Sequence, residues 1–152
     1  MKIQILLPAP MKDRGLLSLV EDYRARLRGR FSLEVISVRG EKSGSPNALR
    51  IEADRLRSRV PDGFHRVALD ATGRAQTSEE FAEFLQTRIH QSTRGIAFFI
   101  GSANGLDRAL LQEADRVLSL SKMTLPHQMA VTLLAEQLYR ADAIHRGAPY
   151  HR

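Results

Sequence analysis

The sequence predicts an α/β fold in which five strands form a mainly parallel sheet with helices on both faces. Short apolar runs alternate with longer amphipathic stretches five times along 152 residues, and this alternation is the order that builds βα units. The fourth run, Ile96 to Ile100, is apolar at every position, as expected for a strand that is covered on both faces. No internal repeat or long linker divides the chain, so we expect one domain over residues 1–152.

The first half of the chain contains three predicted strands and two predicted helices. The first strand spans Ile3 to Leu7, and the second spans Phe31 to Val38. Between them, apolar residues recur at helical spacing: Leu16, Leu17, Val20, Tyr23 and Leu27. A turn-rich loop over residues 39–46 follows, and its Ser45 and Pro46 predict the cap of a helix that reaches Val60. The third strand is predicted over residues 64–69 and ends at Asp70.

The second half contains two further strands and three helices. Thr77 and Glu80 predict a capping box for the third helix, whose apolar residues are Phe81, Phe84, Leu85 and Ile89. The fourth strand covers residues 95–100, Asp107 begins a short helix, and the fifth strand covers residues 116–120. The longest helix is predicted from His127 to His145, with these residues directed inward: Val131, Leu134, Leu138 and Ile144.

Two loops at predicted strand ends indicate a small-molecule pocket. Residues 118–129 join the fifth strand to the last helix, and Pro126 suits a helix's first turn because its missing N–H costs nothing there. Gly101 to Gly105 follow the fourth strand, which is expected to neighbour the fifth, and Asp70 to Gly73 close the third strand. Open α/β sheets bind ligands at the carboxyl ends of their strands, so three strand ends are predicted to face one pocket.

The formal net charge of +6 is confined to the first half of the chain. Residues 1–75 have fifteen Lys and Arg against nine Asp and Glu, whereas residues 76–152 have eight of each. Arginines account for most of the excess: Arg24, Arg26, Arg28, Arg30, Arg50, Arg55, Arg57 and Arg59. A one-sided basic face is typical of nucleic-acid binding, whereas pairing with nearby acids is typical of a solvated helix surface. Charge alone leaves both interpretations open.

Composition excludes several classes of protein. The chain has no cysteine, which excludes disulfides and thiolate chemistry, and its five histidines lack metal-site spacing. Ser119 and Ser121 do not lie in the G-x-S-x-G motif of hydrolases. The opening segment lacks signal-peptide features and no apolar stretch reaches membrane-spanning length. We therefore expect no metal, no membrane association and a cytoplasmic location.

The chain ends in Gly147-Ala148-Pro149-Tyr150-His151-Arg152. Chain ends are usually poorly ordered, whereas an aromatic ring, an imidazole and a guanidinium are groups that stack on bases and bind phosphate. The alternative is that Tyr150 merely covers apolar surface.

Six segments, distributed from one end of the chain to the other, resemble one known family. They are the opening MKIQIL, Ala68 to Asp70, Ile100 to Leu106, Leu118 to Met129, Ala135 to Ala141 and Pro149 to Arg152. The chain resembles the small SPOUT-class methyltransferases that methylate N3 of a pseudouridine in large-subunit ribosomal RNA. Two positions depart from the family pattern, because Ser102 stands where a second glycine is usual and Val131 stands where an arginine is usual.

The resemblance implies a Rossmann-like sheet with a C-terminal deep trefoil knot, an obligate homodimer, and S-adenosylmethionine as cofactor. Transferred by position, the cofactor contacts fall on Leu69, Gly101, Leu120, Ser121, Lys122, Met123, Thr124 and Leu125. The residues that match the family's RNA-facing and catalytic surface are His127, Glu136, Arg140, Tyr150, His151 and Arg152.

The implied reaction is direct displacement at a sulfonium methyl group, in which positioning of the base nitrogen dominates. Arg140 and Arg152 would hold phosphate or uracil oxygens, His127 or His151 would assist proton loss, and Tyr150 would stack on the base. The sequence does not identify a general base. The alternative hypotheses are a non-catalytic ribosome-binding module with the same fold and a flavodoxin-like hydrolase, for which no nucleophile motif is present.

Overall fold

The computed structural model describes residues 1–27, 29–42 and 44–151. The strands are β1 Lys2–Pro8, β2 Ser32–Val38, β3 Phe64–Ala75, β4 Gly95–Ile100 and β5 Arg116–Ser119. The helices are α1 Arg14–Arg26, α2 Ala48–Arg57, α3 Ser78–His90, α4 Arg108–Glu113 and α5 His127–His145, and a 3₁₀ turn covers Pro149–His151. The predicted order of five βα units is confirmed.

The five strands form one sheet in the order β2-β1-β4-β3-β5. All four strand pairings are parallel, in agreement with the predicted mainly parallel sheet. The expectation that β4 neighbours β5 is wrong, because β3 lies between them and pairs with both. The chain therefore crosses over β3 between Gly101 and Asp115 to reach the sheet edge, and sequence order alone does not reveal such a crossing.

Helices cover both faces of the sheet, as predicted. On one face, α1 and α3 both pack against α5, and the core there includes Ile5, Val20, Leu85, Phe98 and Leu134. On the other face, α2 and α4 cover a smaller core. That core consists of Leu6, Val38, Ala53, Leu56, Val60, Ala97, Phe99 and Leu110. Side chains alternate across β4, so Phe98 and Phe99 lie in different cores.

Strand β3 is longer than the sequence predicts. It continues through Asp70 to Ala75, and its pairing with β5 shifts register between Leu69 and Arg74. The residues between these two positions bulge out of the sheet at its carboxyl edge. Asp70 and Gly73, which predicted the end of the strand, therefore mark this bulge and not the strand's end. A Cβ atom at Gly73 would lie 2.7 Å from the Leu118 carbonyl carbon, so glycine permits the close approach of the two strands.

Three of the predicted helix starts are confirmed, among them His127 at the start of α5, and one is wrong. Thr77 and Glu80 form the reciprocal capping box at α3, and the Asp107 carboxylate accepts two backbone N–H groups at the start of α4. Ser45 and Pro46, however, do not cap α2. The N-cap is Asn47, which makes no side-chain capping bond. Its backbone is in the left-handed region at φ 59°, a conformation that asparagine tolerates better than most residues.

Helix α5 is buried on most of its surface because α1 and α3 flank it on the sheet. Val131, Leu134 and Leu138 are fully buried as predicted, and Ile144 packs partly buried against the same core. The burial of Val131 means that this position faces the core and not the solvent.

The arginines of the first half do not form one basic face. Helix α1 covers one face of the sheet and α2 the other, so the two arginine groups are separated by the sheet. Several also have acidic partners: Arg24 with Glu21, Arg26 with Asp22, Arg55 with Glu41, and Arg57 with both Asp54 and Glu113. For these arginines, the interpretation as a solvated helix surface holds. Arg28 lies outside the described residues.

Candidate ligand pocket at the carboxyl edge of the sheet

Three strand ends surround one cavity of about 560 Å³, as predicted. The volume lies within the ~300–1,000 Å³ range of small-molecule sites. β3 supplies Leu69 and its continuation, the loop after β4 supplies Gly101 to Gly105, and the loop after β5 leads into the first turn of α5. The lining residues are Leu69, Asp70, Ala71, Ile100, Gly101, Ser102, Ala103, Gly105, Leu120, Ser121, Met123, Thr124, Leu125, Pro126, His127 and Ala130.

The loop after β4 is a tight turn closed on itself. The Gly105 amide donates to the Ser102 carbonyl at 2.9 Å, and the two residues form an isolated antiparallel bridge. A Cβ atom at Gly101 would lie 2.4 Å from the Gly105 carbonyl carbon, so this glycine is required by the turn. Ser102 keeps a negative φ, so the departure from the family's second glycine introduces no left-handed strain.

The loop after β5 is held by two serines. The Ser119 hydroxyl donates to the Ser121 carbonyl at 2.9 Å, and the Met123 amide donates to the Ser121 hydroxyl at 3.0 Å. By contrast, the amides of Thr124 and Leu125 donate to no described residue. Thr124 is exposed and Leu125 is half-buried, so these two N–H groups are free to donate to water or to a ligand in the cavity.

Seven of the eight predicted cofactor residues line the cavity, and Lys122 is the exception. Lys122 is exposed at the tip of the loop. Asp70 lines the cavity, in agreement with the predicted position of the third strand end, whereas Ala130 lines it without having been predicted. The signal that could have found Ala130 is its spacing, because it lies one helical turn after His127.

The predicted catalytic residues fall into two groups. His127, the first residue of α5, lines the cavity. Glu136 and Arg140 lie about two and a half turns or more further along α5, at least about 13 Å away at 1.5 Å per residue, and Tyr150 packs beside them. The side chain of His151 and all of Arg152 lie outside the described residues. One copy of the chain therefore does not bring Glu136, Arg140 and Tyr150 to its own cavity.

Glu136 is the centre of a hydrogen-bonded cluster on α5. Its Oε1 accepts from Arg140 Nε at 3.0 Å, Arg140 Nη2 at 2.5 Å and the Tyr150 hydroxyl at 3.2 Å. Its Oε2 accepts from Gln137 Nε2 at 2.7 Å. Four donors therefore bind this carboxylate, and these bonds hold Arg140 and Tyr150 in place.

The three tyrosines of the chain meet in the same cluster. The Tyr150 ring meets the Tyr139 ring edge-on at 4.7 Å, and the Arg140 guanidinium lies 5.0 Å from the Tyr150 centroid. Tyr23 of α1 reaches the Tyr150 hydroxyl at 3.5 Å. Burial, followed by the Tyr23 and Glu136 contacts, raises the pKa of Tyr150 well above its usual value, so this hydroxyl stays protonated and acts as a donor.

A second, smaller cavity of about 280 Å³ lies beyond Leu120, which lines both cavities. The start of α3 and the middle of α5 border it through Ser78 and Gln137, whose side chains are hydrogen-bonded at 2.8 Å. Sequence reasoning missed this cavity because its residues come from distant segments with no shared motif.

Within the described ranges, no group of three or more histidines and carboxylates is arranged to hold a metal ion. In the same part of the chain, no helix is long and apolar enough to cross a membrane.

The fold and cavity together define an α/β protein with a ligand pocket at the carboxyl edge of a parallel sheet. The chain belongs to the SPOUT methyltransferase family, whose model, described as "Predicted SPOUT methyltransferase", matches residues 1–151.

Curated relatives and a solved structure are similar to nearly the whole chain. A protein of Gemmatimonas aurantiaca named ribosomal RNA large subunit methyltransferase H is 39% identical and covers 100% of both chains. One of the same name from Gluconacetobacter diazotrophicus is 45% identical over 93% of this chain and 91% of its own. The structure of a probable methyltransferase from Bordetella pertussis Tohama I has a TM-score of 0.60 at 16% identity, covering 91% of this chain and 95% of that one. At that identity, it supports the fold alone.

Proposed function

We propose that this protein uses S-adenosylmethionine to methylate N3 of a pseudouridine in large-subunit ribosomal RNA. The observation that supports this most directly is the cavity at the carboxyl edge, which is formed by the segments that match the family. The names of the full-length relatives support the substrate class.

The cavity suits this cofactor in size and in chemistry. Leu69, Ile100, Leu120 and Leu125 offer apolar walls for an adenine ring. The backbone amides of Thr124 and Leu125 offer donors to its polar edge, and the Asp70 carboxylate suits a cationic ammonium or sulfonium. We assign cofactor contacts to Leu69, Gly101, Leu120, Ser121, Met123, Thr124 and Leu125. Lys122, which is exposed, would contact the cofactor only from the solvent side.

S-adenosylmethionine supplies a methyl group on a sulfonium, which is a good leaving group for direct displacement. The task of the chain's own residues is then to hold the acceptor nitrogen in line and to ease loss of its proton. His127 is at the cavity wall, where its imidazole can accept that proton. Arg140, held by Glu136, presents a guanidinium that suits the uracil oxygens or a phosphate.

A homodimer would unite the two groups of catalytic residues. In one chain the cluster of Glu136, Arg140 and Tyr150 is remote from the cavity, so we propose that it, with His151 and Arg152, faces the cavity of a second copy. Exposed apolar side chains on α5 support this arrangement, because Met129 and Leu133 are 43% and 37% exposed one turn apart.

The deep trefoil knot, the single domain over residues 1–152 and a cytoplasmic location complete the proposal. The crossing of the chain over β3 before β5 is compatible with a knotted C-terminal part. A ribosomal RNA substrate in turn implies the compartment in which ribosomes are assembled.

A cavity-filling substitution tests the cofactor site. Ala130 lines the cavity from α5, so Ala130→Leu should lower the affinity for S-adenosylmethionine by more than tenfold in isothermal titration calorimetry. The matched control is Ala25→Leu on the exposed side of α1, which should bind like wild type. Thermal denaturation verifies folding, since overpacking costs about 1–3 kcal/mol. Unchanged affinity in Ala130→Leu would place the cofactor elsewhere.

The alternative is a non-catalytic ribosome-binding module with the same fold. Such a module needs no cofactor, so calorimetry with S-adenosylmethionine separates the two functions directly. Mass spectrometry of ribosomal RNA from a strain that lacks this chain gives the second readout: a missing methyl group on a pseudouridine supports the enzyme, and unchanged RNA supports the module.

A further inference from the structure

The side chains of Arg88, Arg116 and His65 gather around Phe84, where α3 lies against strands β3 and β5. The Arg116 guanidinium lies 4.6 Å from the centre of the Phe84 ring, and the Arg88 guanidinium lies 5.8 Å from it. The His65 ring is 5.7 Å from the same ring. We call His65, Arg74, Arg88 and Arg116 the Phe84 cluster, because Arg74 is close enough to influence Arg116.

The Phe84 cluster has three arginines and only two acidic neighbours, since burial lowers the pKa of His65 and leaves its imidazole neutral near pH 7. Glu80 binds Arg74 at 3.3 Å, and Asp115 lies 3.6 Å from His65 Nδ1. The Arg116 side chain makes no hydrogen bond or ion pair with any described residue.

The positive charge of Arg88 also lacks an acidic partner among the described residues. Its Nε atom is buried without a partner among the described residues, and its one side-chain hydrogen bond to a described residue is a 3.5 Å contact with His65.

The shortage of acidic partners affects the pKa of Arg116. Burial, followed by repulsion from Arg74 and Arg88, lowers the pKa of its guanidinium, and Glu80 offsets this only in part. A partly buried cation without a partner is costly, so an anion bound here would stabilise the cluster.

The arginines on α2 provide a contrast. Arg57 is held at 2.6 Å by Asp54 and at 2.8 Å by Glu113. Its charge is already neutralised within the chain.

The geometry of the Phe84 cluster suits phosphate. A guanidinium that lies over an aromatic ring keeps its N–H edge available, and that planar edge matches the spacing of two phosphate oxygens. Three arginines near one another suit a polyanion whose charges repeat along a backbone better than they suit one carboxylate.

The position of the cluster links it to the proposed active site. Arg116 is the first residue of β5, which is an edge strand of the sheet. Leu120, four residues further on, lines the cavity, and four strand residues span about 13 Å. A nucleic-acid strand lying along β5 would therefore reach the cavity within a few nucleotides of the cluster.

We infer that the Phe84 cluster binds the phosphodiester backbone of the RNA substrate next to the nucleotide that is methylated. This inference rests on the proposed function, because it takes RNA as the substrate, and it adds a backbone-binding site that the family resemblance does not assign.

The test measures RNA binding as a function of salt. Fluorescence anisotropy with labelled polyuridylate over about 50–200 mM KCl should show a smaller slope of log K against log salt for Arg116→Gln, by ~0.7 for each phosphate of a single strand that the variant no longer neutralises. The slope for the double variant Arg88→Gln/Arg116→Gln should be smaller still. The matched control is Arg57→Gln, which removes a paired charge on the other face of the sheet and should keep the wild-type slope.

Two further measurements separate this site from a structural role. Arg116→Lys retains the positive charge without the planar guanidinium, so it should keep most of the salt slope, and thermal denaturation verifies that each variant is folded. Affinity for S-adenosylmethionine should stay at the wild-type value in all of them.

Each remaining outcome is decisive. A wild-type slope in the double variant, or an equally reduced slope in Arg57→Gln, would overturn the inference while leaving the proposed function intact. Wild-type protein that binds no RNA would overturn both the inference and the RNA substrate.

Discussion

Tyr150 shows how one residue near the chain end is positioned by contacts distant in sequence. Its ring packs on Tyr139 and its hydroxyl donates to Glu136, so the chain end is docked on α5. The residues at the end of the chain predicted either a functional segment or one that merely covers apolar surface. The structure is compatible with both interpretations. The Tyr150 ring is half-buried, as a surface-covering residue would be, and its hydroxyl is hydrogen-bonded to a predicted site residue.

Two substitutions at Tyr150 separate the hydroxyl from the ring. Tyr150→Phe removes the bond to Glu136, which is worth about 1 kcal/mol, so we expect methyl transfer to fall by about fivefold. Tyr150→Ala also removes the ring's packing on Tyr139 and Arg140, and we expect near-complete loss of activity. Methyl transfer to ribosomal RNA measures both effects.

The control for Tyr150 is cofactor affinity, which should be unchanged because Tyr150 does not line the cavity of its own chain and, in the proposed dimer, is assigned to the RNA base and not to the cofactor. Full activity in Tyr150→Ala would show that the chain end is surface only, and the catalytic assignment would then be restricted to the residues at the cavity.

At the scale of elements, the irregular strand β3 is what opens the cavity. Between Leu69 and Arg74 its pairing with β5 shifts, and Asp70 and Ala71 project into the site. The strand resumes pairing only because Gly73 lets its backbone approach Val117 and Leu118.

A substitution at Gly73 tests this close approach. Gly73→Ala would place Cβ 2.7 Å from backbone atoms of Leu118, and backbone atoms cannot move aside cheaply. We expect a loss of about 1–3 kcal/mol in the free energy of unfolding, measured by urea denaturation. The control, Gly15→Ala in α1, meets only a carboxylate oxygen at 3.3 Å, and such a surface change should alter stability by no more than ~0.5 kcal/mol. Equal stability of the two variants would contradict the role given to Gly73.

At the scale of the whole molecule, α5 is the element that would join the two copies of the chain in the proposed homodimer. It contributes His127 to the cavity at its start and Glu136 and Arg140 to the cluster further on. Its exposed apolar side chains Met129 and Leu133 lie between these two positions.

Charge on this exposed part of α5 should dissociate the proposed dimer. Met129→Glu/Leu133→Glu would bury two carboxylates at the interface, which is costly without partners, so we expect a monomer of 17.1 kDa. Sedimentation velocity at micromolar concentration distinguishes the two states. Arg50→Glu on the exposed side of α2 should remain dimeric, and a wild-type protein that sediments as a monomer would remove the dimer from the proposal.

The sequence by itself determined the order of elements and much of the cavity. Apolar runs and helical spacing are local signals, and so are caps such as Thr77 with Glu80, because the groups involved are within a few residues of one another. The prediction that three strand ends share one pocket followed from parallel strands ending at the same edge.

Tertiary structure decided what depends on residues distant along the chain. The insertion of β3 between β4 and β5, the resumption of β3 after Gly73, and the placing of α1 and α2 on opposite faces all follow from which surfaces pack together. The same reason explains why the charge of Glu136 is neutralised within the chain and that of Arg116 is not. Whether a charge is neutralised or left to bind a ligand depends on the neighbours that folding supplies, and those neighbours are not encoded in local spacing.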